Sequence, residues 1–278
     1  GMHRMYANVS RLIKTKLNVM SIFGVPHPTY SPDFIDEDGV DAICRGEGEA
    51  ALVDLLDAMR SGSGYTKTGN FIFKTSAGVV ANPLGPLAAD LDPLAFPDRE
   101  FFYSSGNLRI SHLKSFIAAR GCPYSCTYCF NHIHNEIYRG LGPVVRRRSV
   151  DNVIDDVLDV QRRYPLGMAQ FMDDTFILSN GWLREFSEKF PSRVDIPFFC
   201  NARAELVSHD VVRDLKRAGC ASVCVGVETG DEGLRKRVLG RAQGNGQIRE
   251  AIELLHANGI RGMTTNMLGI PGGSLESD

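Results

Sequence analysis

The stretch Gly121-Cys122-Pro123-Tyr124-Ser125-Cys126-Thr127-Tyr128-Cys129 contains three of the seven cysteines of this 278-residue chain. They are spaced Cys-x3-Cys-x2-Cys, and the proline, tyrosine and serine between them are typical of a loop. Thiolates are soft ligands that favour iron–sulfur clusters, zinc or copper(I). Three thiolates on a four-iron cluster leave one iron open, whereas an electron carrier normally uses four cysteines. The spacing therefore predicts a cluster that can bind a further ligand.

Zinc is the alternative metal that this loop could bind. A structural zinc site needs a fourth ligand, and His132 and His134 follow the third cysteine closely. The remaining cysteines are scattered in apolar segments, which predicts small buried core residues and not a disulfide framework. They are Cys44, Cys200, Cys220 and Cys224. This use of cysteine predicts a reducing, cytoplasmic location.

Downstream of the cysteine loop, short apolar segments alternate with amphipathic ones. We predict strands at residues 114–118, 168–172, 198–201, 222–227 and 263–268, and helices at 150–163, 181–190, 210–218 and 247–258. Ser149 is the expected N-cap of the first of these helices. Such alternation predicts an α/β fold with a parallel sheet or barrel, and functional groups at the carboxyl ends of its strands. The fifth strand would lie at a free edge, which predicts self-association.

Upstream of the loop, residues 1–60 have the pattern of part of an open α/β unit. The apolar spacing predicts a helix at 6–16, strands at 19–23 and 40–44, and a helix at 50–60. Residues 61–112 are rich in glycine and proline and predict a linker that carries a small hairpin. The predicted domains are therefore 1–60, 61–112 and 113–278.

Composition excludes several classes of protein. The chain has 31 Lys and Arg residues against 33 Asp and Glu residues, a net charge of −2. Nucleic-acid binders usually carry a basic stripe, so no nucleic-acid partner is expected. No apolar run approaches the length that a membrane span needs, and none resembles a signal peptide. The run Arg146-Arg147-Arg148 is expected to be a solvated stretch.

With its cysteine loop placed after the first barrel strand, the chain resembles the radical S-adenosylmethionine (SAM) superfamily. Tyr128, just before the third cysteine, also matches that family. The resemblance continues at each later strand end, in Met172-Asp173-Asp174, Asn201-Ala202-Arg203, Gly226-Val227-Glu228-Thr229-Gly230 and Leu268-Gly269-Ile270-Pro271-Gly272. It implies a partial (β/α) barrel with about five of the family's six strands.

The amino-terminal part is similar to the cobalamin-binding subgroup of that superfamily. The segments that carry this similarity are Phe23-Gly24-Val25-Pro26-His27-Pro28-Thr29, Gly46-Glu47-Gly48-Glu49 and Pro93-Leu94-Ala95-Phe96-Pro97-Asp98-Arg99. The similarity implies the carboxyl-terminal remnant of a Rossmann-like cobalamin-binding domain, in a chain shortened at both ends. Val25 stands where the family usually has a second glycine, and its side chain would crowd a ligand near the backbone. We therefore expect that cobalamin binds full-length relatives but not this chain alone.

The resemblance also implies roles for individual residues. Cys122, Cys126 and Cys129 would bind three irons of a 4Fe–4S cluster, and SAM would chelate the fourth. Asp173 or Asp174 would accept hydrogen bonds from the SAM ammonium group, Arg203 would meet its carboxylate, and Glu228 would take the ribose hydroxyls or the ammonium group. Tyr128, Asn201 and Thr229 complete the expected cofactor-binding set.

The implied reaction is reductive cleavage of SAM, which starts methyl transfer, rearrangement or cyclisation on an unknown small-molecule substrate. A reductant such as flavodoxin or ferredoxin would supply the electron. Two other interpretations stay open at this point: a non-catalytic iron–sulfur or zinc domain, and an inactive truncated fragment. Arg203 and Glu228 could also form a purely structural ion pair inside the barrel.

Overall fold

The computed structural model describes residues 2–24, 26–104 and 106–274, and these form two compact units. The first unit contains the chain up to Ala89 together with residues 133–143, and the second contains residues 90–132 and the chain from Val144 onward. Val25, on which the expectation about cobalamin depends, lies outside the described residues. Among the described residues, no helix combines the length and the apolar character needed to cross a bilayer.

The helices are α1 (Met2–Lys14), α2 (Pro26–Tyr30), α3 (Glu49–Ser61), α4 (Glu100–Tyr103), α5 (Gly106–Ile110), α6 (Phe130–Ile137), α7 (Val150–Arg163), α8 (Asn180–Arg193), α9 (His209–Arg217), α10 (Glu232–Arg237) and α11 (Asn245–Ala257). The strands are β1 (Ile22–Phe23), β2 (Ala42–Cys44), β3 (Phe71–Thr75), β4 (Gly78–Ala81), β5 (Leu113–Phe116), β6 (Ala119–Arg120), β7 (Arg146–Arg147), β8 (Met168–Phe171), β9 (Phe198–Ala202), β10 (Cys220–Glu228) and β11 (Arg261–Asn266). Three short 3-10 helices cover Pro32–Asp36, Tyr65–Lys67 and Ala204–Leu206.

The first unit is built on a four-stranded sheet in the order β1-β2-β3-β4. β1 and β2 are parallel, whereas β3 and β4 are antiparallel to their neighbours. Alternate residues of β3 point to opposite faces of the sheet. Ile72 therefore packs with Phe34 on one face, while Phe71 packs with Leu55 of α3 on the other. This arrangement gives each face of the sheet its own small core.

The predicted hairpin is confirmed, but it does not belong to a linker. β3 pairs with β2, with Ile72 opposite Ile43, so the hairpin extends the sheet of the first unit. The physical reason is burial, because Phe71 and Phe73 are both buried against the helical layer. The predicted first strand is shorter than expected and covers only Ile22–Phe23.

The second unit is built on a five-stranded parallel sheet in the order β11-β10-β9-β8-β5. All five predicted strands are present, and their bounds differ from the expected ones by at most two residues. A cluster of buried aromatic residues joins the sheet to α8: Phe171, Phe176, Phe186, Phe190 and Phe198. The predicted parallel α/β sheet is therefore confirmed. β11 forms one edge of the sheet, and self-association through it stays a prediction.

Helix α7 begins and ends where the sequence predicts. The Ser149 side chain accepts a hydrogen bond from the Asn152 amide at 3.2 Å, as an N-cap residue does. Asp156 on this helix is buried and contacts two arginines, Arg99 Nη1 at 2.7 Å and Arg148 Nη1 at 2.8 Å. Removing Asp156 would leave the buried Arg99 guanidinium without this carboxylate partner, which is costly.

The arginine run at 146–148 is not solvated, so that expectation is wrong. Arg146 is buried, and Arg148 pairs with Asp156. The Arg147 guanidinium carbon lies 4.6 Å from the centre of the Trp182 ring. The reason is that β7 pairs with β6, which holds these residues against the unit instead of in a free loop. A run of charges in the sequence does not reveal such pairing.

Strand β6 leads directly into the cysteine loop through Gly121. This glycine has a φ of +83°, and a β-carbon on it would lie 2.1 Å from the Val144 carbonyl oxygen. Both features exclude any larger residue without movement of the backbone. The glycine therefore allows the chain to turn from the strand pair into the loop.

We predict that Gly121→Ala lowers the free energy of unfolding more than Gly259→Ala does. Gly259 has a similar φ of +75° but has no atom within 4 Å of its β-carbon position, so it reports only the conformational cost. That cost is about 1–2 kcal/mol for a residue with a side chain. Denaturant unfolding of both variants measures the difference. Equal losses would show that the Val144 carbonyl imposes no constraint.

Candidate active site

A cavity of about 200 Å³ lies among the ends of the parallel strands. Polar residues from β9 and β10 contribute to its wall, as do the cysteine loop and the residues that follow β8. Eight residues predicted from the sequence line it: Cys122, Cys126, Tyr128, Cys129, Asp174, Asn201, Arg203 and Glu228. The fold thus brings most of the predicted set together, at the end of a parallel sheet where sites are expected.

The cysteine loop is held by backbone contacts. The Cys129 amide donates to the Cys126 carbonyl at 3.1 Å, which makes a tight turn between these two cysteines. Thr127 anchors the turn, because its amide donates to the Leu239 carbonyl at 3.2 Å and its hydroxyl donates to the Val238 carbonyl at 2.6 Å. The three thiols therefore project from a fixed loop.

The thiols of the loop differ in their surroundings. Cys122 and Cys126 are buried, whereas Cys129 is half-buried and lies 3.4 Å from the Asn131 side-chain amide. Burial raises the pKa of the Cys122 thiol. A thiol must lose its proton to bind iron, so ligation at this position has to overcome that shift and release a proton.

The described residues offer no ready ligand set for the zinc alternative. In the described part of the chain, no three His, Cys, Asp or Glu side chains surround one point as ligands of a single ion would. The ring nitrogen Nδ1 of His132 lies 2.5 Å from the Cys129 carbonyl oxygen, and Nδ1 of His134 lies 3.0 Å from the Tyr30 hydroxyl. A four-iron cluster binds its thiolates on different irons, so it needs no such convergence.

Glu228 is the centre of a buried network. Its Oε1 accepts from the Tyr128 hydroxyl at 3.1 Å, from Arg241 Nη1 at 3.1 Å and from the Thr265 hydroxyl at 3.3 Å. Arg241 Nη1 also donates to the Tyr128 hydroxyl at 2.7 Å. Burial raises the pKa of Tyr128 to about 12, against the lowering effect of Arg241, so the phenol keeps the proton that it donates to Glu228.

The backbone at Glu228 is unusual. Its φ is +67°, a conformation that residues with side chains rarely adopt, and the register of β10 against β11 shifts between Gly226 and Glu228. A β-carbon on Gly226 would lie 2.4 Å from Glu228 Oε1. The glycine therefore makes the space into which the carboxylate folds back. Such strained positions concentrate at functional sites.

Arg203 and Glu228 do not pair with each other, so the suggested ion pair between them is wrong. Arg203 lies 2.6 Å from Glu205 Oε1, and Glu228 pairs with Arg241. Arg203 Nη1 also donates to Cys126 Sγ at 3.3 Å. Each cation in the cavity thus has its own carboxylate partner: Glu205 lies in the 3-10 helix after β9, and Glu228 lies at the end of β10.

The structure separates the two adjacent aspartates. Asp174 lines the cavity, whereas Asp173 is buried behind it and accepts a hydrogen bond from the Ala118 amide at 3.1 Å. Asn201 also lines the cavity, and its side-chain amide donates to the Asp173 carbonyl at 3.0 Å. Adjacent residues at a strand end point to opposite sides. Asp173 therefore fixes the segment that leads to the cysteine loop instead of facing a ligand.

Thr229 does not line the cavity either. It is buried, and its hydroxyl accepts from the Asp231 amide at 3.2 Å in the turn that precedes α10. Sequence reasoning missed several cavity residues: Asn131, Thr175, Cys224, Arg241 and Thr265. Alternation along β10 could have indicated Cys224 once Gly226 and Glu228 were chosen, since residues two apart share a face. Nothing in the local sequence indicates Arg241.

We predict that Asp173 makes stability depend on pH. Burial raises its pKa from 3.8 to about 6, so the native state binds more protons than the unfolded state between these values. The free energy of unfolding should therefore fall as pH rises from about 4 to about 6, by about 3 kcal/mol at most. Asp173→Asn should remove this slope in denaturant unfolding. Asp174→Asn, with Asp173 intact, should keep it, and an unchanged slope in Asp173→Asn would contradict the assignment.

Comparison with known proteins agrees with this geometry. Residues 116–277, more than half of the chain, match the family model described as the Radical SAM superfamily. An uncharacterized methyltransferase of Pyrococcus horikoshii is 24% identical over 261 residues, which cover 91% of this chain and 55% of that protein. The anaerobic magnesium-protoporphyrin IX monomethyl ester cyclase of Synechocystis is 24% identical over 278 residues, which cover 95% of this chain and 52% of that protein.

The fold is also similar to that of a solved enzyme. The radical S-adenosylmethionine methyltransferase TsrM of Kitasatospora setae, solved with tryptophan substrate and a SAM analog, has a TM-score of 0.80 at 18% identity, over 99% of this chain and 54% of that one. A second TsrM structure, with cobalamin and a [4Fe-4S] cluster bound, has a TM-score of 0.74 at 16% identity, over 99% and 54% of the two chains. This chain spans about half the length of the curated relatives it matches. By its family match and its cysteine loop at the end of a parallel sheet, the chain belongs to the radical SAM superfamily.

Proposed function

We propose that this chain holds a 4Fe–4S cluster on Cys122, Cys126 and Cys129 and binds SAM beside it, as an enzyme that starts radical chemistry on a small molecule. The observation that carries the proposal is one cavity in which three thiols from a single loop face polar side chains from successive strand ends. The donor set fits the group, because soft thiolates suit iron–sulfur clusters and three of them leave one iron open. When bound together, the reduced cluster and SAM supply one-electron cleavage of a carbon–sulfur bond.

The cavity residues supply the contacts that SAM needs. Asp174 offers a carboxylate and Asn201 an amide at the cavity wall, and both suit a bound ammonium or hydroxyl group. Oε1 of Glu228 accepts hydrogen bonds from three donors, which hold the carboxylate in one orientation. We therefore assign Glu228 the role of a hydrogen-bond acceptor at a fixed position. Tyr128 holds that carboxylate from the cluster side. Their common role is to orient the cofactor and exclude water.

The similarity to methyltransferases and to a cyclase supports methyl transfer, rearrangement or cyclisation as the outcome. The substrate is unknown, and a reductant such as flavodoxin or ferredoxin is proposed as the electron source. The first unit, with its parallel β1–β2 pair and its helices on both faces, is proposed to correspond to part of a Rossmann-like cobalamin-binding domain. TsrM, which has a similar fold, contains cobalamin in one of its structures, and this supports the assignment of the first unit to a cobalamin-binding domain. We propose that this chain alone does not retain cobalamin.

The cysteine assignment is tested by anaerobic reconstitution with iron and sulfide. The native chain should take up about four irons with matching acid-labile sulfide, and Cys122→Ser, Cys126→Ser or Cys129→Ser should each lose most of the cluster absorbance. Cys224→Ser is the matched control, because Cys224 lines the same cavity outside the motif. It should retain the cluster. Zinc without labile sulfide in the native chain would contradict the proposal, and so would loss of the cluster in Cys224→Ser alone.

The two aspartates should behave differently toward SAM. Asp174→Asn removes a charge that faces the cavity, so it should weaken SAM binding about tenfold or more, as expected for loss of a charge-assisted hydrogen bond. Asp173→Asn should change SAM affinity far less, because that side chain is buried behind the wall. Equilibrium binding of SAM to the reconstituted variants measures both. A larger loss in Asp173→Asn than in Asp174→Asn would overturn the assignment.

A further inference from the structure

The guanidinium of Arg203 lies against the cysteine loop. Its Nη1 is 3.3 Å from Cys126 Sγ, within hydrogen-bond distance of sulfur. Its central carbon lies 3.7 Å from the centre of the Tyr124 ring, which belongs to the same loop. The Arg203 side chain is only 9% exposed. Two residues of one loop therefore contact this cation, one at its edge and one at its face.

A third contact fixes the direction of the fork. Arg203 Nε lies 2.6 Å from Glu205 Oε1, in the 3-10 helix that follows β9. These three contacts restrict the rotamers of Arg203. The Glu205 carboxylate fixes the orientation of the planar guanidinium, and the Tyr124 ring packs against its face. The contacts with Glu205 and Tyr124 thus orient the Arg203 Nη1 group toward the sulfur of Cys126.

We propose that Arg203 is a positioning residue that donates to the Cys126 thiolate and raises the reduction potential of the cluster held by this loop. The inference rests on the proposed function, because it needs a cluster on Cys126. Reduction adds one negative charge to the cluster, and a nearby cation with an N–H to sulfur stabilises the added charge. The effect is large where water is excluded, as it is around this side chain. This role differs from the contact with the SAM carboxylate that the family resemblance implies for Arg203.

Glu205 should act in the opposite direction. Its carboxylate neutralises part of the charge of Arg203, so it moderates the effect of the guanidinium on the cluster. Removing the cation should lower the potential, whereas removing the anion should raise it. A residue that served only to hold the loop together would not produce shifts of opposite sign. This difference in sign is what separates electrostatic tuning from general structural support.

The test is an EPR-monitored redox titration of the reconstituted chain in the absence of SAM. At a fixed solution potential, Arg203→Gln should lower the ratio of reduced to oxidised cluster about tenfold, which is about 59 mV for a one-electron couple. Glu205→Gln should raise the ratio. Arg203→Lys, which keeps the charge but not the fork, should fall between the native chain and Arg203→Gln. Arg213→Gln and Glu185→Gln make the same changes in net charge on helices α9 and α8 and should leave the ratio unchanged.

The outcomes are distinguishable from failure of the proposed function. If the native chain assembles no cluster, the proposed function fails and with it the premise of this inference. If clusters assemble with equal iron content and Arg203→Gln keeps the native potential, the inference alone is overturned. If Arg203→Gln binds SAM more weakly but keeps the native reduction potential in the absence of SAM, Arg203 contacts the SAM carboxylate and the inference is overturned. If Arg203→Gln assembles its cluster poorly, the Glu205→Gln variant provides the test. Glu205 is partly exposed and contacts Arg203 instead of a cysteine, so this substitution should leave cluster assembly intact. An unchanged or lowered reduction potential in Glu205→Gln would contradict the inference.

Discussion

Parallel pairing of five strands is the constraint on which the rest of the second unit depends. In a parallel sheet the carboxyl ends of all strands lie at the same end of the sheet. The segments after β8, β9 and β10 therefore meet there although they are distant in sequence. The cysteine loop comes after β5 and the short strand β6, and Gly121 turns it toward that end of the sheet. Asp174, Asn201 and Glu228 then arrive at the same cavity from successive strands. No single loop could gather this set.

Charge pairing gives the cavity its internal order. Two buried cations are present in its wall, and each has one carboxylate partner: Arg203 with Glu205, and Arg241 with Glu228. Each cation also contacts a residue of the cysteine loop, Cys126 in one case and Tyr128 in the other. Buried ion pairs often add little net stability, and these two hold side chains against the cysteine loop. The loop is thereby oriented by electrostatic contacts as well as by backbone hydrogen bonds.

The sequence predicted the parts of the structure that depend on local pattern. Helix α7 has its predicted bounds because the Ser149 cap and the apolar spacing are both local signals. The five strands of the parallel sheet were found for the same reason, since each is a short apolar run between helices. The cysteine spacing also located the candidate site, because metal-ligand spacing is itself a local property of a loop.

Other features depend on contacts that no local pattern records. Asp173 and Asp174 are equivalent in sequence, and only the packing of the strand end decides which of them faces the cavity. Arg241 reaches Glu228 across a turn and a helix, and Arg148 finds a buried partner in Asp156. The sequence places the hairpin in a linker, because the pairing of β3 with β2 involves residues far apart in the chain. Tertiary pairing, and not residue type, determined each of these outcomes.

The proposed function depends on an iron–sulfur cluster with one iron open to SAM. Its most direct test is the EPR spectrum of the anaerobically reconstituted and reduced chain, recorded with and without SAM. We predict the signal of a reduced 4Fe–4S cluster whose line shape changes when SAM is added, because SAM binds the iron that the three cysteines leave free. A complete cluster whose spectrum is indifferent to SAM would contradict the account, since its fourth iron would then not be available to SAM.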